Sequence, residues 1–386
     1  MKLRHNILWI SLLAILMIVS CNRHQKVHST SFYVDSITVA DSLLVLEPPM
    51  RKGAISFDSI VDEVSYLPLS TNDTVLISTI SDIKISKNRI YIADYKLGKL
   101  FSFDSEGKFI GCIDAVGEGP EEYKRICGFD IDEKNDLVYL LDGDLGKIHV
   151  YDTSLNFCKI IQLPITFVDH LALYEDHRCY LERGLREYDE NDDKTPNLIF
   201  YNFETNRIEH AHFYYKNSSN ISYMNQDPVA FSSSQDKLYY WPILASSIYS
   251  CTDSGISKVL DVDMGEYETP SYLLSEKMSN VLSMMSKHFY SYLDRFYEFD
   301  HWIYLRISRI HGSAHYFYNK QHQKGYIDIS FVKSANAKKM IAPDLFFVSE
   351  EMCCGYISPE QYVSFAENNE KVEIDNNPIL VFYKLK

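Results

Sequence analysis

Two aspartates occupy matching positions in two similar segments, RIYIAD ending at Asp94 and LVYLLD ending at Asp142. Carboxylate oxygens are the ligands that calcium prefers, so two such groups at one channel could hold a divalent cation for a hydrolase or a lyase. The matching places further along the chain hold Arg183 and Pro242, so a ring of carboxylates would be incomplete. An aspartate at such a position also accepts backbone N–H bonds from its own turn, and we favour that structural role.

A short loop concentrates polar side chains in the segment GEGPEEYKR, from Gly117 to Arg125. Its glycines, together with Pro120, predict a fixed turn. Loops on rigid scaffolds often carry binding, so we predict a ligand-binding surface here. A turn that only packs against its neighbours is the alternative interpretation. The predicted ligand-binding residues are Glu118, Glu121, Glu122, Tyr123 and Arg125.

A third set of side chains has the chemistry of acid–base catalysis, and it comprises Asp169, His170, His301, Arg306, Arg309, His311 and His315. Single histidines in strands are more often structural. The sequence also has no nucleophile elbow, phosphate-binding loop, zinc-protease motif or dinucleotide fingerprint. We therefore predict no catalytic residue and no cofactor, with calcium as the cofactor of the metal-dependent alternative.

The elements that must position these residues are repeated strands. The segment Arg89 to Phe109 recurs 48 residues later as Leu137 to Phe157. Each copy alternates short strands with tight turns, and a repeat of about 40–50 residues built this way is typical of a propeller blade. The identical positions are Tyr91/Tyr139, Asp94/Asp142, Leu97/Leu145, Gly98/Gly146, Lys99/Lys147, Asp104/Asp152 and Phe109/Phe157.

The rhythm of strands and turns predicts an all-β fold, a six-bladed β-propeller of four-stranded antiparallel blades. The predicted blades cover residues 81–113, 127–163, 167–214 and 229–264, with the fifth resuming at residue 296 and the sixth at residue 345. A strand near residues 63–69 is expected to pair with the final strand and close the last blade, which removes the open edge. Apolar residues at steps of three and four predict a helix over 270–287, and a second helix is expected over Pro359–Glu367.

The N-terminus predicts export and lipidation. Lys2 and Arg4 precede an apolar run from Ile7 to Val19, which is the pattern of a secretion signal. Ile18-Val19-Ser20-Cys21 has the form of a bacterial lipobox, so we expect residues 1–20 to be a signal peptide and Cys21 to carry the lipid. Residues 21–55 are predicted as a tether and 56–386 as the propeller. The basic segment after Cys21 slightly favours the periplasm over the cell surface.

Charge and cysteine content exclude several kinds of partner. The formal net charge of −15 argues against binding to nucleic acid by the folded part, and we expect a monomer. Seven cysteines besides Cys21 make an odd number without zinc-ligand spacing. We predict that most of them are small buried residues.

The pattern YIAD-x3-GKLFSFDSEGK is similar to the NHL-type propeller repeat. The whole chain resembles the six-bladed β-propeller lipoproteins of Bacteroidetes, through the lipobox, the loop Gly117–Tyr123 and the ending Asn377–Lys386. The usual loop of that family reads GxGPGEY, so Glu121 stands here where a glycine is expected. The resemblance implies the fold and little chemistry, because most of these lipoproteins have no assigned activity.

Together these features predict a membrane-anchored propeller of the cell envelope that binds a glycan, peptide or protein on one face without catalysis. The predicted recognition surface combines the loop Gly117–Arg125, the charged insertion Arg186–Asn197 and the helix near 270–287. The alternative is a divalent-metal-dependent hydrolase or lyase that uses Asp94 and Asp142 at the central channel.

Overall fold

The computed structural model describes residues 33–34, 37–50, 60–71, 75–175, 177–183, 196–214, 230–234, 236–270, 272–273, 278–288, 290–309, 312–329, 344–365 and 376–386. The strands among them form six β-sheets, which confirms the predicted number of blades. Three of the described strands precede the first blade: β1 (Tyr33–Val34), β2 (Thr38–Leu46) and β3 (Val61–Pro68).

Each blade is a meander of consecutive antiparallel strands, as the alternation of strands and tight turns predicts. Blade one contains β4 (Asp82–Ser86), β5 (Arg89–Asp94), β6 (Lys99–Asp104) and β7 (Phe109–Ile113). Blade two contains β8 (Gly128–Asp132), β9 (Leu137–Asp142), β10 (Lys147–Asp152) and β11 (Phe157–Gln162). Blade three contains β12 (Val168–Tyr174), β13 (Arg178–Arg183), β14 (Pro196–Asn202) and β15 (Arg207–Tyr214).

The second half of the ring follows the same plan. Blade four contains β16 (Phe231–Ser234), β17 (Lys237–Tyr240), β18 (Ser247–Thr252) and β19 (Gly255–Val262). Blade five contains β20 (Tyr292–Glu298), β21 (Trp302–Arg309), β22 (Gly312–Asn319) and β23 (Lys324–Ile329). Blade six contains β24 (Leu345–Ser349), β25 (Met352–Ile357) and β26 (Ile379–Leu385). Blade five thus begins four residues before the predicted position, and β20 contains a register shift between Leu293 and Arg295.

The first strand of each blade is the innermost one, because β4, β8, β12 and β16 contact one another in succession, as do β16 with β20 and β24 with β4. Apolar clusters fill the spaces between neighbouring blades, one for each of the six interfaces. Aromatic side chains contribute to every one of these clusters, as at the contact of Tyr180 with Phe200, whose ring centroids lie 4.6 Å apart. Burial of these faces supplies the main drive for the blades to stack.

The ring closes by pairing of β26 with β3. The two strands are antiparallel from Ile379 opposite Pro68 to Leu385 opposite Val61, which confirms the predicted closure. Asn377 reinforces this seam just before β26. Its amide Nδ2 donates to the carbonyls of Ser70 (3.0 Å) and Val75 (2.7 Å), and its Oδ1 accepts the N–H of Ile77 (2.8 Å).

Two strands lie in the segment predicted as a tether. The longer of the two, β2, begins at Thr38 and ends at Leu46. It pairs in parallel with β19, while β1 pairs in parallel with β15, so each adds a fifth strand to the outer edge of a blade. Covering these edges shields exposed backbone groups of two blades.

Two α-helices interrupt the strands in the described part of the chain. Helix α1 (Met278–His288) occupies the later part of the predicted helix, and its Val281 and Met285 pack against Leu244 and Leu273. Helix α2 (Pro359–Phe365) lies at the second predicted position. Residues 184–195, most of the predicted charged insertion, lie outside the described residues. No helix in the described part of the chain combines the length and apolar character needed to cross a bilayer.

The cysteines agree with the sequence prediction. All seven from Cys112 to Cys354 are free, and five of them are buried. Burial raises the pKa of the Cys127 and Cys353 thiols to about 12, so neither is a reactive thiolate at neutral pH.

Candidate functional site

The connections between blades lie on the face of the disc where the innermost strands begin, which we call the upper face. The segment from β7 to β8 crosses this face and contains the predicted loop Gly117–Arg125. The turns between β5 and β6 and between β9 and β10 lie on the same face, because antiparallel strands return to it. The loop therefore lies on the upper face together with Asp94 and Asp142, the last residues of β5 and β9.

Two of the predicted loop residues hold the loop in shape. The N–H of Gly117 donates to the carbonyl of Tyr123 (3.0 Å), and the Glu122 carboxylate accepts the N–H of Gly119 (2.7 Å). Tyr123 is fully buried and donates its hydroxyl to the carbonyl of Gly98 (2.7 Å). Glu118 and Glu121 are exposed to solvent. Among the predicted ligand-binding residues, contact with a ligand would then fall mainly to Glu118, Glu121 and Arg125.

Arg125 joins two blades at the upper face. Its guanidinium lies 3.0 Å from Asp144 in the β9–β10 turn and 3.8 Å from Asp169 at the start of β12. Its side chain is 44% exposed, so the pair with Asp144 gains little from the Coulomb attraction. Arg125 remains accessible to a ligand.

Exposed apolar side chains lie on the same face as this loop, and no sequence motif pointed to them. Leu97, Val116, Leu145 and Phe167 are between 39% and 51% exposed, and all four belong to turns or connections of the upper face. Phe167 has a φ of +59°, a conformation that is unfavourable for a bulky residue. The sequence repeat could have indicated two of these exposed residues, since Leu97 and Leu145 occupy the same position in the two copies.

Asp94 and Asp142 each bond to the backbone of the connection that enters their own blade. Asp94 accepts the N–H groups of Ser78 (2.7 Å), Thr79 (2.9 Å) and Leu97 (3.0 Å). Asp142 accepts the N–H of Lys124 (2.8 Å). Over the described ranges, no group of three or more His, Cys, Asp and Glu side chains is arranged to hold a metal ion. A metal at this pair remains a prediction.

A second candidate lies on the propeller axis. A cavity of about 370 Å³, which we call the axial cavity, is lined by residues from the innermost strands of all six blades. Tyrosine occupies the third position of the second strand in five blades, and its cross-strand partner identifies equivalent positions on the innermost strands. Those partners, with the partner of Cys354 in blade six, are Lys84, Asp130, Ala172, Ser232, Tyr297 and Phe346.

Lys84 and Asp130 form an ion pair across the first two blades, with 2.7 Å between Nζ and Oδ1. Asp130 also accepts the N–H of Ile131 (3.0 Å) and, through Oδ2, the N–H of Leu173 in blade three (2.7 Å). This carboxylate therefore ties three blades together. With every oxygen engaged, its role is structural.

Asp82 lies two residues before Lys84 and has fewer partners. Only 8% of the residue is exposed, and its Oδ1 accepts the N–H of Ile83 (2.8 Å). Burial raises the pKa of this carboxyl to about 6, against the opposing effects of Lys84 and Arg295. Across the ring in blade four, the buried Ser232 hydroxyl has no hydrogen-bond partner among the described residues.

The predicted acid–base set is divided between distant blades. His170 Nδ1 lies 2.5 Å from Glu182, which also accepts the hydroxyl of Tyr240 (2.8 Å), so this network joins blades three and four. In blade five, Arg306 Nε donates to Asp294 (2.9 Å), and the hydroxyl of Tyr304 lies 2.9 Å from His315 Nδ1. Burial lowers the pKa of His315 to about 3. His311 lies outside the described residues.

The fold and its axial cavity define a six-bladed β-propeller with a site large enough for a small molecule. Residues 43–384 match the model of the family described as Domain of unknown function (DUF4934), and the chain belongs to that family. The chain matches no protein among curated sequences.

Solved structures support the fold. The chain is similar to a protein of Bacteroides fragilis described as exported, at 16% identity and a TM-score of 0.74, over 89% of this chain and 99% of that one. It is also similar to a member of the DUF4221 family from Bacteroides vulgatus, at 11% identity and a TM-score of 0.52, over 84% of this chain and 97% of that one.

Proposed function

We propose that this protein is a lipid-anchored propeller of the cell envelope that binds a ligand on its upper face and does not transform it. The observation that carries the proposal is the clustering there of exposed apolar and charged side chains around one rigid loop. Leu97, Val116, Leu145 and Phe167 supply apolar contact, while Glu118, Glu121 and Arg125 supply polar contact. Scattered apolar residues are ordinary on protein surfaces, but a group on one face, rimmed by charges, marks a binding site.

Export and anchoring are supported by the N-terminal sequence and by the similarity to a Bacteroides protein described as exported. Lipidation of Cys21 would attach the chain to a membrane, with the basic residues after it favouring the periplasm. Replacing Cys21 by Ser is expected to move the protein from the membrane fraction into the soluble fraction of its host. Retention of the variant in the membrane would contradict the anchor.

Binding at the upper face can be tested with the full chain purified in detergent. A panel of oligosaccharides and peptides is screened by the rise in unfolding temperature, and any ligand found is then measured by calorimetry. The variant Glu118→Ala/Glu121→Ala/Arg125→Ala should weaken that ligand at least about tenfold, which corresponds to the loss of one or two charge-assisted hydrogen bonds. The matched control Lys87→Ala/Glu106→Ala/Asp136→Ala changes three exposed charges on the opposite face and should leave the affinity unchanged.

Two outcomes would contradict the proposal. An unchanged affinity in the upper-face variant, with loss in the control, would place the ligand elsewhere. Recovery of a chemically altered ligand after incubation with the protein would show catalysis, and the metal-dependent alternative with Asp94 and Asp142 would then be tested by adding calcium.

A further inference from the structure

The axial cavity contains two buried polar residues whose hydrogen-bonding capacity the protein does not use in full. Asp82 uses one oxygen for the N–H of Ile83, and its Oδ2 has no donor among the described residues. The Ser232 hydroxyl likewise has no partner in the described part of the chain. Both residues line the cavity and are more than nine-tenths buried. A buried polar atom without a partner destabilises the folded protein, so a ligand that bonds to both residues would offset that cost.

The two groups lie on opposite sides of the ring, with Ser232 at the level of Lys84, two residues further along the innermost strand than Asp82. Asp82 is on the innermost strand of blade one and Ser232 on that of blade four, three blades away in a ring of six. A molecule between them could donate a hydrogen bond from a hydroxyl to the Asp82 carboxylate, and it could donate a hydrogen bond to the Ser232 hydroxyl or accept one from it. The cavity volume of about 370 Å³ is in the range of small-molecule sites, so the bridging molecule is small.

The charges around Asp82 determine the charge of that molecule. Asp82 lies within the electrostatic influence of Lys84, Arg295 and Asp130, and the formal charges of these four groups cancel. Glu133 also lines the cavity, but it is exposed to solvent in the turn after β8. An added cation would meet Lys84 and Arg295, and an added anion would meet Asp82 and Asp130. Either would leave an uncompensated charge in a buried site, which is costly, so a neutral ligand is favoured.

The remaining lining supplies apolar surface. Phe129, Phe231, Tyr297 and Phe347 line the cavity together with aliphatic side chains of the innermost strands. A ligand that fits must therefore combine several hydroxyl groups with a carbon skeleton that can lie against aromatic rings. Sugars have both properties in one small neutral molecule.

We propose that the axial cavity is a binding site for one small neutral saccharide, held between Asp82 and Ser232. This site is separate from the upper-face loop and does not depend on that loop binding anything. The Lys84–Asp130 ion pair is a positioning element here, because Asp130 is already saturated by its own hydrogen bonds.

The test uses the full chain in a detergent without a sugar headgroup. Glucose, galactose, mannose, N-acetylglucosamine and their disaccharides are titrated by calorimetry, beside the cation glucosamine and the anion glucuronate. At least one neutral sugar should bind with a Kd of about 1 mM or lower, and both charged sugars should bind at least about tenfold more weakly than their neutral parent. Binding of a charged sugar more tightly than glucose would overturn the proposal, as would a cavity that binds none of the neutral sugars and holds ordered water alone.

Matched variants locate the site. Asp82→Asn and Ser232→Ala should each weaken the sugar about tenfold, the effect of losing one buried hydrogen bond, and the double variant should abolish binding. Asp114→Asn and Ser105→Ala alter an exposed aspartate and an exposed serine and should bind as the wild type does. The unfolding midpoint of every variant is measured first.

The upper-face variant Glu118→Ala/Glu121→Ala/Arg125→Ala should retain sugar binding, so failure of the cavity proposal and failure of the upper-face proposal remain distinguishable. Unchanged sugar affinity in both cavity variants would place the sugar outside this cavity.

Discussion

The closing seam and the axial cavity each bury polar side chains at a junction of blades, but the protein satisfies them to different degrees. At the seam, Asn377 is 2% exposed, and both its amide nitrogen and its oxygen bond to backbone groups of the segment that leads into blade one. In the cavity, Asp82 is 8% exposed, and one of its oxygens has no donor among the described residues.

This difference separates a structural role from a functional one. A buried polar group with all its partners contributes to stability and specifies one arrangement of the chain. A buried polar group that lacks partners lowers stability and is retained where something else is gained, which is the usual situation at a binding site. The comparison predicts that seam variants lose stability, while cavity variants keep or gain it and lose binding.

The largest expected effect is at the seam. Replacing Asn377 by Ala removes three hydrogen bonds and leaves the carbonyls of Ser70 and Val75 and the N–H of Ile77 without that partner. We expect the free energy of unfolding to fall by about 3–5 kcal/mol, measured by urea denaturation. The control Asn135→Ala removes an exposed bond to Asp132 and should cost less than about 1 kcal/mol. A loss below about 1 kcal/mol for Asn377→Ala would remove the basis of the comparison.

The second effect has the opposite sign and depends on pH. The Asp82 carboxyl has a pKa of about 6 in the folded protein against 3.8 in a model peptide, chiefly because of burial. The folded state therefore binds more protons between these values, and stability falls as the pH rises through them. Asp82→Asn removes the charge and keeps an oxygen for the N–H of Ile83. It should raise the free energy of unfolding by up to about 3 kcal/mol at pH 7.5, with the gain disappearing near pH 4.

The measurement for Asp82→Asn is urea denaturation of wild type and variant across pH 4 to 8. Other titrating groups, such as His315, affect both proteins alike and cancel in the difference. Asp114→Asn, an exposed aspartate paired with Lys99, should show no comparable gain at pH 7.5. A variant that is no more stable than wild type at pH 7.5 would indicate that Asp82 has partners that satisfy its charge.

The sequence predicts the seam much better than the cavity. The 48-residue repeat and the turns around Asp104 and Asp152 are local patterns, and they indicate the blades and hence the need for closure. The cavity depends on side chains from six segments far apart in sequence, whose alignment is decided by strand register. Lys84 and Asp130 are not 48 residues apart, so the repeat does not align them. They occupy equivalent places opposite Tyr91 and Tyr139 because the β4–β5 and β8–β9 turns differ in length.

Two further features of the fold could not be predicted from local sequence patterns. The parallel pairing of β2 with β19 joins residues more than two hundred positions apart, so no local sequence pattern indicates it. The register shift in β20 between Leu293 and Arg295 moves the start of blade five away from the simple alternation of apolar and polar residues. For the candidate loop, the sequence identified the segment but could not indicate that Tyr123 is buried.

A smaller effect tests whether Tyr123 in the predicted loop has a structural role, as Asn377 has at the seam, or a role in binding. The Tyr123 hydroxyl donates to Gly98 (2.7 Å) and accepts the N–H of Ala115 (3.1 Å), so it is a satisfied group like Asn377. Tyr123→Phe should lower the free energy of unfolding by about 1–2 kcal/mol and leave ligand affinity at the upper face unchanged. Tyr66→Phe, at a tyrosine that is 45% exposed, should be nearly neutral. A loss of affinity without a loss of stability would assign Tyr123 to the ligand surface.

The smallest effect concerns the two repeated aspartates. Asp94 already accepts three backbone N–H bonds, whereas calcium requires six to eight oxygen ligands, so a cation would have to displace bonds that support the turn. We expect calcium at about 1 mM to change the free energy of unfolding by less than about 0.4 kcal/mol, the value for a site with a Kd equal to that concentration. Asp142 is the sharper probe, because its Oδ1 has no donor among the described residues. A calcium-dependent gain above about 1 kcal/mol that Asp142→Asn abolishes and Asp114→Asn retains would establish a metal at this pair and revive the hydrolase alternative.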